Sequence, residues 1–168
     1  MGERVLFESK RLRVIDREDW EFVERVKAKE AVAVVAVTAD GKIVLTEQER
    51  KPMQRRVLDL PAGLIGDDQE NESPESSGRR ELEEETGYTC DSLEHLATGP
   101  SSPGITSELV HLYRARGVRH VGEGGGVEGE DIRVHAVPLA ELRDWLGRKQ
   151  HDGLLVDLKV WSALHFLS

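Results

Sequence analysis

Cysteine is nearly missing from this chain: one, Cys90, in 168 residues. A lone thiol excludes an internal disulfide framework and suits a reducing compartment. Long apolar runs are missing too. No stretch approaches the roughly 20 residues that a membrane-spanning helix needs, so no membrane partner is expected. The first residues, Met1-Gly2-Glu3-Arg4-Val5-Leu6, contain no apolar signal segment and lack the hydroxyl residue a myristoylation motif requires. The expected compartment is the cytoplasm. Positive charge is in deficit, with 23 Lys and Arg against 32 Asp and Glu, a formal charge of −9 and a pI near 5.2. With no basic stripe to meet phosphates, nucleic acid is excluded as a bulk partner. The six histidines show no ligand spacing, and no internal repeat is visible. What remains is a chain of single-domain length, expected to form one unit over 1–168, with 38% hydrophobic residues to build a core.

The acidic residues are not spread evenly. From Asp67 to Glu85 nine stand against two basic ones, a net of −7, so the rest of the chain nets only −2. The second half of that stretch reads as a helix. Ser73 suits the N-cap, Pro74 the first helical position and Gly87 the stop. At about 100° per residue Glu81, Glu84 and Glu85 share one face, Arg80 is within i+4 reach of Glu84, and Glu83 points away toward Arg79. Leu82 is the only large hydrophobe between Ser73 and Thr86, and Gly78, one turn earlier, lets the helix sit close to whatever Leu82 packs on. A solvated face is the common explanation of a charge run. Against it, like charges at i+3 and i+4 destabilise a helix, and the run directly follows an apolar strand and turn that look buried. Three carboxylates beside a buried turn fit a hard divalent cation, Mg²⁺ or Mn²⁺ above all.

Strands are expected at Val5–Phe7, Arg11–Ile15 and Trp20–Val26, an N-terminal antiparallel β-meander. Trp20 reads equally as cover for a sheet edge and as a stacking platform for a base. Ala31–Val37 is almost wholly apolar and should be buried on both faces. Asp40-Gly41 marks a hairpin to Lys42–Gln48. Arg50, Lys51, Arg55 and Arg56 crowd just ahead of the acidic run. They are either solvent-facing loop charge or anion-binding groups matched to phosphate oxygens. Ser92–Thr98 and Leu109–Ala115 read as strands, with Gly99–Gly104 between them as an irregular turn cluster. Arg116–Glu130, rich in glycine at 122, 124, 125, 126 and 129, reads as a flexible loop. Its glycines do not both follow a strand and open a helix, which rules out a dinucleotide fingerprint. Ile132–Val137 is the expected last strand, and helices are expected at Leu139–Leu146, opened by Pro138, and at Leu154–Leu167.

Gly66, Glu72, Arg80-Glu81-Leu82, Glu84-Glu85 and Gly87-Tyr88 fill every fixed position of a 23-residue pattern that resembles the Nudix box. Pro61-Ala62-Gly63-Leu64-Ile65 before it, and Ser102-Pro103-Gly104 with Glu108 after it, are similar to the ADP-ribose pyrophosphatase branch. Gly63 stands three residues ahead of Gly66, so the loop 66–71 looks lengthened relative to that branch. The resemblance implies an α/β fold, an α/β/α sandwich with a mixed β-sheet, with 1–28 as strands for homodimer contacts and 29–168 as the catalytic unit. It implies Glu81, Glu84, Glu85 and the Ala62 carbonyl as metal ligands and Arg80 as the residue orienting the glutamates. Glu108 is implied as the group that holds or deprotonates water, and Arg50 as the best phosphate contact, ahead of Arg55. The implied substrate is a nucleoside diphosphate sugar, ADP-ribose first, cleaved to two monophosphates. GDP-mannose, a dinucleotide polyphosphate, or a non-catalytic nucleotide sensor are the alternatives.

Overall fold

The computed structural model describes residues 2–28, 30–66, 71–127 and 129–167. β1 (Glu3–Glu8), β2 (Leu12–Arg17) and β3 (Trp20–Arg25) pair antiparallel in sequence order as a separate three-stranded sheet. This is the expected meander. It is joined to the rest by the Val23 N–H donating to the Ile105 carbonyl at 2.8 Å and by an Arg25–Glu108 ion pair at 2.7 Å.

Among the described residues the second sheet has nine strands: β4 (Glu30–Thr38), β5 (Lys42–Arg50), β6 (Arg55–Asp59), β7 (Ala62–Leu64), β8 (Tyr88–Thr89), β9 (Ser92–Pro100), β10 (Leu109–His120), β11 (Ile132–Pro138) and β12 (Leu155–Val156). Its spine runs β12-β6-β5-β4-β10-β8; β7 pairs with β4, β9 with β10 and β11 with β5. β4 and β10 run parallel, most other pairs antiparallel, so the sheet is mixed.

β4 shows why its sequence is apolar without alternation. Residues 32–36 are all fully buried. Val32, Val34 and Ala36 face a cluster containing Leu82 of α1 (Pro74–Thr86), while Ala33 and Val35 face a larger one with Leu142 and Leu146 of α2 (Leu142–His151) and Val160 and Ala163 of α3 (Leu158–Leu167). Helices therefore cover both sides, as a strand buried on two faces requires.

α1 has the expected boundaries. The Ser73 hydroxyl accepts from the Ser76 N–H, Pro74 opens the helix, and Gly87, at φ +71, ends it with its N–H on the Glu83 carbonyl. Gly78 permits close packing: a Cβ there would lie 3.1 Å from both Val32 Cγ2 and Leu93 Cδ1. Leu82 thus anchors the acidic helix almost alone. Leu82→Ala should cost about 2–5 kcal/mol, measured by denaturant unfolding at constant m.

Several expectations are corrected. β9 continues through Gly99 and Pro100, paired with Val110 and Leu109; a proline is tolerated because it closes an edge strand. β10 continues past Ala115 to His120, with a register shift at Gly117, φ +65, where the strand bulges and goes on to pair with β8. The segment after it is not a free loop. Val121 and Gly122 donate N–H to the Gly87 carbonyl, Gly125 to that of Glu85 and Gly126 to that of Glu84, so this glycine-rich backbone caps the open end of α1. Gly124 sits so close that a Cβ would lie 2.3 Å from the Thr86 carbonyl carbon. Ile132–Pro138 is not the last strand, because Leu155–Val156 pairs parallel to β6; α3 accordingly begins at Leu158, and a 3₁₀ turn, Leu139–Glu141, precedes α2. Arg79 donates to the carbonyls of Cys90 and Asp91. The inserted part of loop 66–71, with Asp67, Asp68 and Glu70, lies outside the described residues. No helix among the described residues is long and apolar enough to cross a membrane.

Candidate active site

A cleft of about 720 Å³ opens where β4, β5, β7 and α1 meet, and the start of α3 closes one side. Glu81 and Glu85 line it from the helix, Ala62 and Gly63 from β7, Arg50 from the end of β5, and Glu108 from the start of β10. Five of the residues singled out from the sequence (Arg50, Ala62, Glu81, Glu85 and Glu108) are thus brought together from four distant parts of the chain.

Glu85 is buried, at 7% exposure, and its Oε2 accepts the Ala62 N–H at 3.0 Å. Burial pushes its carboxyl up to about 8; the Ala62 N–H opposes this, and the Glu81 and Asp59 carboxylates add to it. Glu81 is raised as well, chiefly by burial, with Arg80 opposing and Glu84 and Glu130 adding. It packs so tightly on the β7 turn that a Cβ on Gly63 would stand 2.0 Å from its carboxyl carbon. Only glycine leaves that carboxylate its place.

Arg80 runs alongside. Its guanidinium reaches Glu81 at 2.9 Å, Glu84 at 3.0 Å and Glu72 at 3.3 Å. Burial alone would lower its pKa, but these carboxylates outweigh it and hold the charge more firmly than usual. Glu84 reaches the same Arg80 nitrogen as Glu81 and is not among the residues lining the cleft. Among the described residues no group of three or more His, Cys, Asp or Glu has the spacing of a metal site. The donor set still fits a hard cation. Two carboxylates, Glu85 buried and Glu81 half-buried, line one cleft with their proton affinities raised, which a divalent ion would relieve.

Arg55, Arg56 and Trp20 lie outside the cleft lining. Arg55 is exposed, opposite Arg50 in the β5–β6 register, and outside the cleft lining. Arg56 is engaged by Glu47 and by Asp131 at 2.6 Å, which removes it as a free anion contact. Trp20, 61% exposed, lines a separate depression with Arg17, Phe22 and Pro103. Glu108 does face the cleft, but its Oε2 accepts from Arg25 Nε at 2.7 Å.

Sequence reading missed Asp59, Lys159 and Glu130, which share the cleft. Lys159 Nζ lies 3.0 Å from Asp59 and 2.9 Å from Asp157. Burial pushes Asp59 up to about 6, with Lys159 opposing and Asp157 adding. Nothing in the sequence pairs residues 59 and 159, because the β6–β12 register alone brings them together.

A NUDIX domain model matches residues 27–158, most of the chain. This chain belongs to the Nudix family of hydrolases. Relatives agree. A methanol dehydrogenase activator of Bacillus methanolicus is 36% identical over 86% of this chain and 75% of its own length. An ADP-ribose pyrophosphatase of Bacillus subtilis is 39% identical over 72% of this chain and 68% of its own. An ADP-sugar pyrophosphatase of Mus musculus is 34% identical over 85% and 71%. A solved structure described as an ADP compounds hydrolase has the same fold, at a TM-score of 0.69 and 21% identity over 88% of this chain and 81% of that one. Nudix hydrolases generally use divalent metal ions.

Proposed function

We propose that the chain hydrolyses the diphosphate bridge of a nucleoside diphosphate sugar, ADP-ribose first, to AMP and ribose 5-phosphate. The observation that carries this reading is a pair of carboxylates, Glu85 buried and Glu81 half-buried, facing a cleft that Arg50 enters from the opposite strand. The names of the relatives, two of them pyrophosphatases of ADP-ribose and ADP-sugars, supply the substrate class.

Glu81 and Glu85, with the Ala62 carbonyl and Glu84 at its edge, would hold Mg²⁺, with Mn²⁺ as substitute. When bound, the ion would neutralise charge on the diphosphate's oxygens and lower the pKa of a coordinated water. Arg80 keeps Glu81 and Glu84 in fixed rotamers through its fork of N–H groups. Arg50, exposed at the rim, supplies a guanidinium to a phosphate oxygen. Glu108 takes the proton of the attacking water, and its ion pair with Arg25 sets the direction in which its free oxygen points. Water adds across the P–O–P bridge, one phosphorus gaining the hydroxyl and the other leaving as a phosphate.

A homodimer is proposed on the exposed apolar residues of the N-terminal sheet, Val5, Phe7, Leu12 and Trp20. That arrangement would cover them and carry Trp20 toward the partner's substrate. The cytoplasm is the proposed compartment, in keeping with one thiol, Cys90, that is buried.

A panel of nucleoside diphosphate compounds with Mg²⁺, read as released monophosphates, tests the proposal. AMP plus ribose 5-phosphate from ADP-ribose is the expected result. Preference for GDP-mannose, the substrate in the names of several relatives, would move the specificity within the class. Tight binding of one member with no turnover of any would replace the enzyme by a sensor.

A further inference from the structure

The chain is acidic overall, yet one recess is lined by cations. Lys10, Arg11, Arg25 and Lys27 surround about 390 Å³ above a floor of Ala28 and Leu64. These four residues come from two sequence stretches, and the β2–β3 register brings them to one end of the small sheet. Leu12 stands opposite Arg25, and the Val26 N–H donates to the Arg11 carbonyl at 3.0 Å. Arg25 is paired with Glu108. Among the described residues Lys10, Arg11 and Lys27 have no ion-pair partner, so three positive charges face the recess uncompensated. Like charges lining one recess repel one another, and an anion brought to it relieves that repulsion.

The recess is continuous with the catalytic cleft. Arg11, Arg25 and Leu64 line both. Leu64 lies two residues beyond Ala62 on β7, which at about 3.3 Å per residue sets the recess roughly 7 Å from the wall that would meet the diphosphate. We infer that Lys10, Arg11 and Lys27 form a subsite for a further phosphate group, carried by the substrate beyond the diphosphate that is cut. The inference rests on the proposed reaction for the position of the diphosphate and extends it. Nucleoside diphosphate derivatives bearing a third phosphate on that side would bind there in addition to ADP-ribose, the acidic helix and the basic recess dividing one polyanion between them. Arg25 links the two halves, since its Nε holds Glu108 while its side chain lines both spaces.

The Lys10→Gln/Lys27→Gln double variant alters residues that line the recess and not the cleft. Its affinity for inorganic tripolyphosphate, measured by calorimetry in EDTA, should fall about tenfold, the scale of two partly exposed charge contacts. In 1 M salt, where the screening length is about 3 Å, wild-type and variant affinities should converge. With Mg²⁺, kcat and KM for ADP-ribose should be unchanged. Equal tripolyphosphate affinity of wild type and variant overturns the subsite. An equal loss on ADP-ribose also overturns it, by showing that the recess holds the scissile diphosphate itself. Failure to hydrolyse any diphosphate would count against the proposed function alone, because the EDTA measurement needs no turnover.

Discussion

Glu85→Gln should reduce Mg²⁺-dependent hydrolysis of ADP-ribose by at least about 10²–10³-fold while leaving the far-ultraviolet circular dichroism unchanged. Loss of a pre-positioned electrostatic group in a water-poor site has effects of that order. The side chain is buried and its Oε2 already accepts from the Ala62 N–H. An amide of the same shape can turn its carbonyl oxygen to that N–H and fill the same volume, so the fold is kept. It has no negative charge to offer a cation. Measuring kcat and the Mg²⁺ concentration for half-maximal rate separates the two ways activity can be lost: a ligand defect raises the metal requirement, whereas a misplaced helix would lower kcat at all concentrations. Turnover at the wild-type rate would remove Glu85 from the ligand set.

The same residue governs the second large effect, the response of the metal-free protein to pH. In the folded state Glu85 keeps its proton up to about pH 8, mainly because it is buried. The unfolded chain releases that proton near the ordinary glutamate value of about 4.3. Below about pH 4 both states are protonated and this residue contributes no pH dependence. Between there and pH 8 the unfolded chain ionises while the folded one does not, so stability falls as pH rises. Above pH 8 both are ionised and the loss is complete. Asp59, pushed up to about 6 by burial, acts with the same sign over a lower window, ending near pH 6. The expected result is a metal-free protein whose unfolding midpoint declines from pH 5 to pH 8, with the stretch above pH 6 due to Glu85. Glu85→Gln should abolish that upper stretch. At pH 8 the variant should be more stable than wild type by a few kcal/mol, since one pKa unit corresponds to about 1.4 kcal/mol. Adding Mg²⁺ at pH 8 should raise the wild-type midpoint and leave that of the variant nearly still, because a ligand that binds only the folded state stabilises by mass action. A flat wild-type profile between pH 6 and 8 would show that Glu85 ionises freely, and the burial argument would fail.

The two effects have a common origin. A carboxylate held away from water is unstable on its own and useful with a cation beside it. The fold places Glu85 there at a cost, and Leu82, Gly78 and the glycine-rich backbone on the C-terminal end of α1 are what secure the helix against that cost.

How much of this was legible beforehand varies with the range of the interaction. The acidic helix was read to its end residues, because capping by Ser73, Pro74 and Gly87 and the i, i+3, i+4 spacing are local properties of the backbone. β4 was read as buried on both faces because an unbroken run of valine and alanine has no polar side to present. The glycine-rich stretch was misread. Taken alone it has no side chains to pack and looks loose; it is ordered here by N–H groups that find the unsatisfied carbonyls of a helix some forty residues earlier. The irregular reading of Gly99-Pro100 failed for a similar reason, since only the edge position of β9 makes a proline acceptable there.

The sequence by itself determined which helix carries the carboxylates and that Arg80 would accompany them; the pairing of a divalent cation with a diphosphate is what the Nudix resemblance implies. Only the tertiary structure decided the company those groups keep. It put Lys159 against Asp59, Arg25 against Glu108 and four cations in one recess, and it turned Glu84 toward Arg80. The reason is that capping and helical spacing act within a few residues of chain, whereas charges meet wherever strand register happens to bring them, and a single sequence does not state its registers.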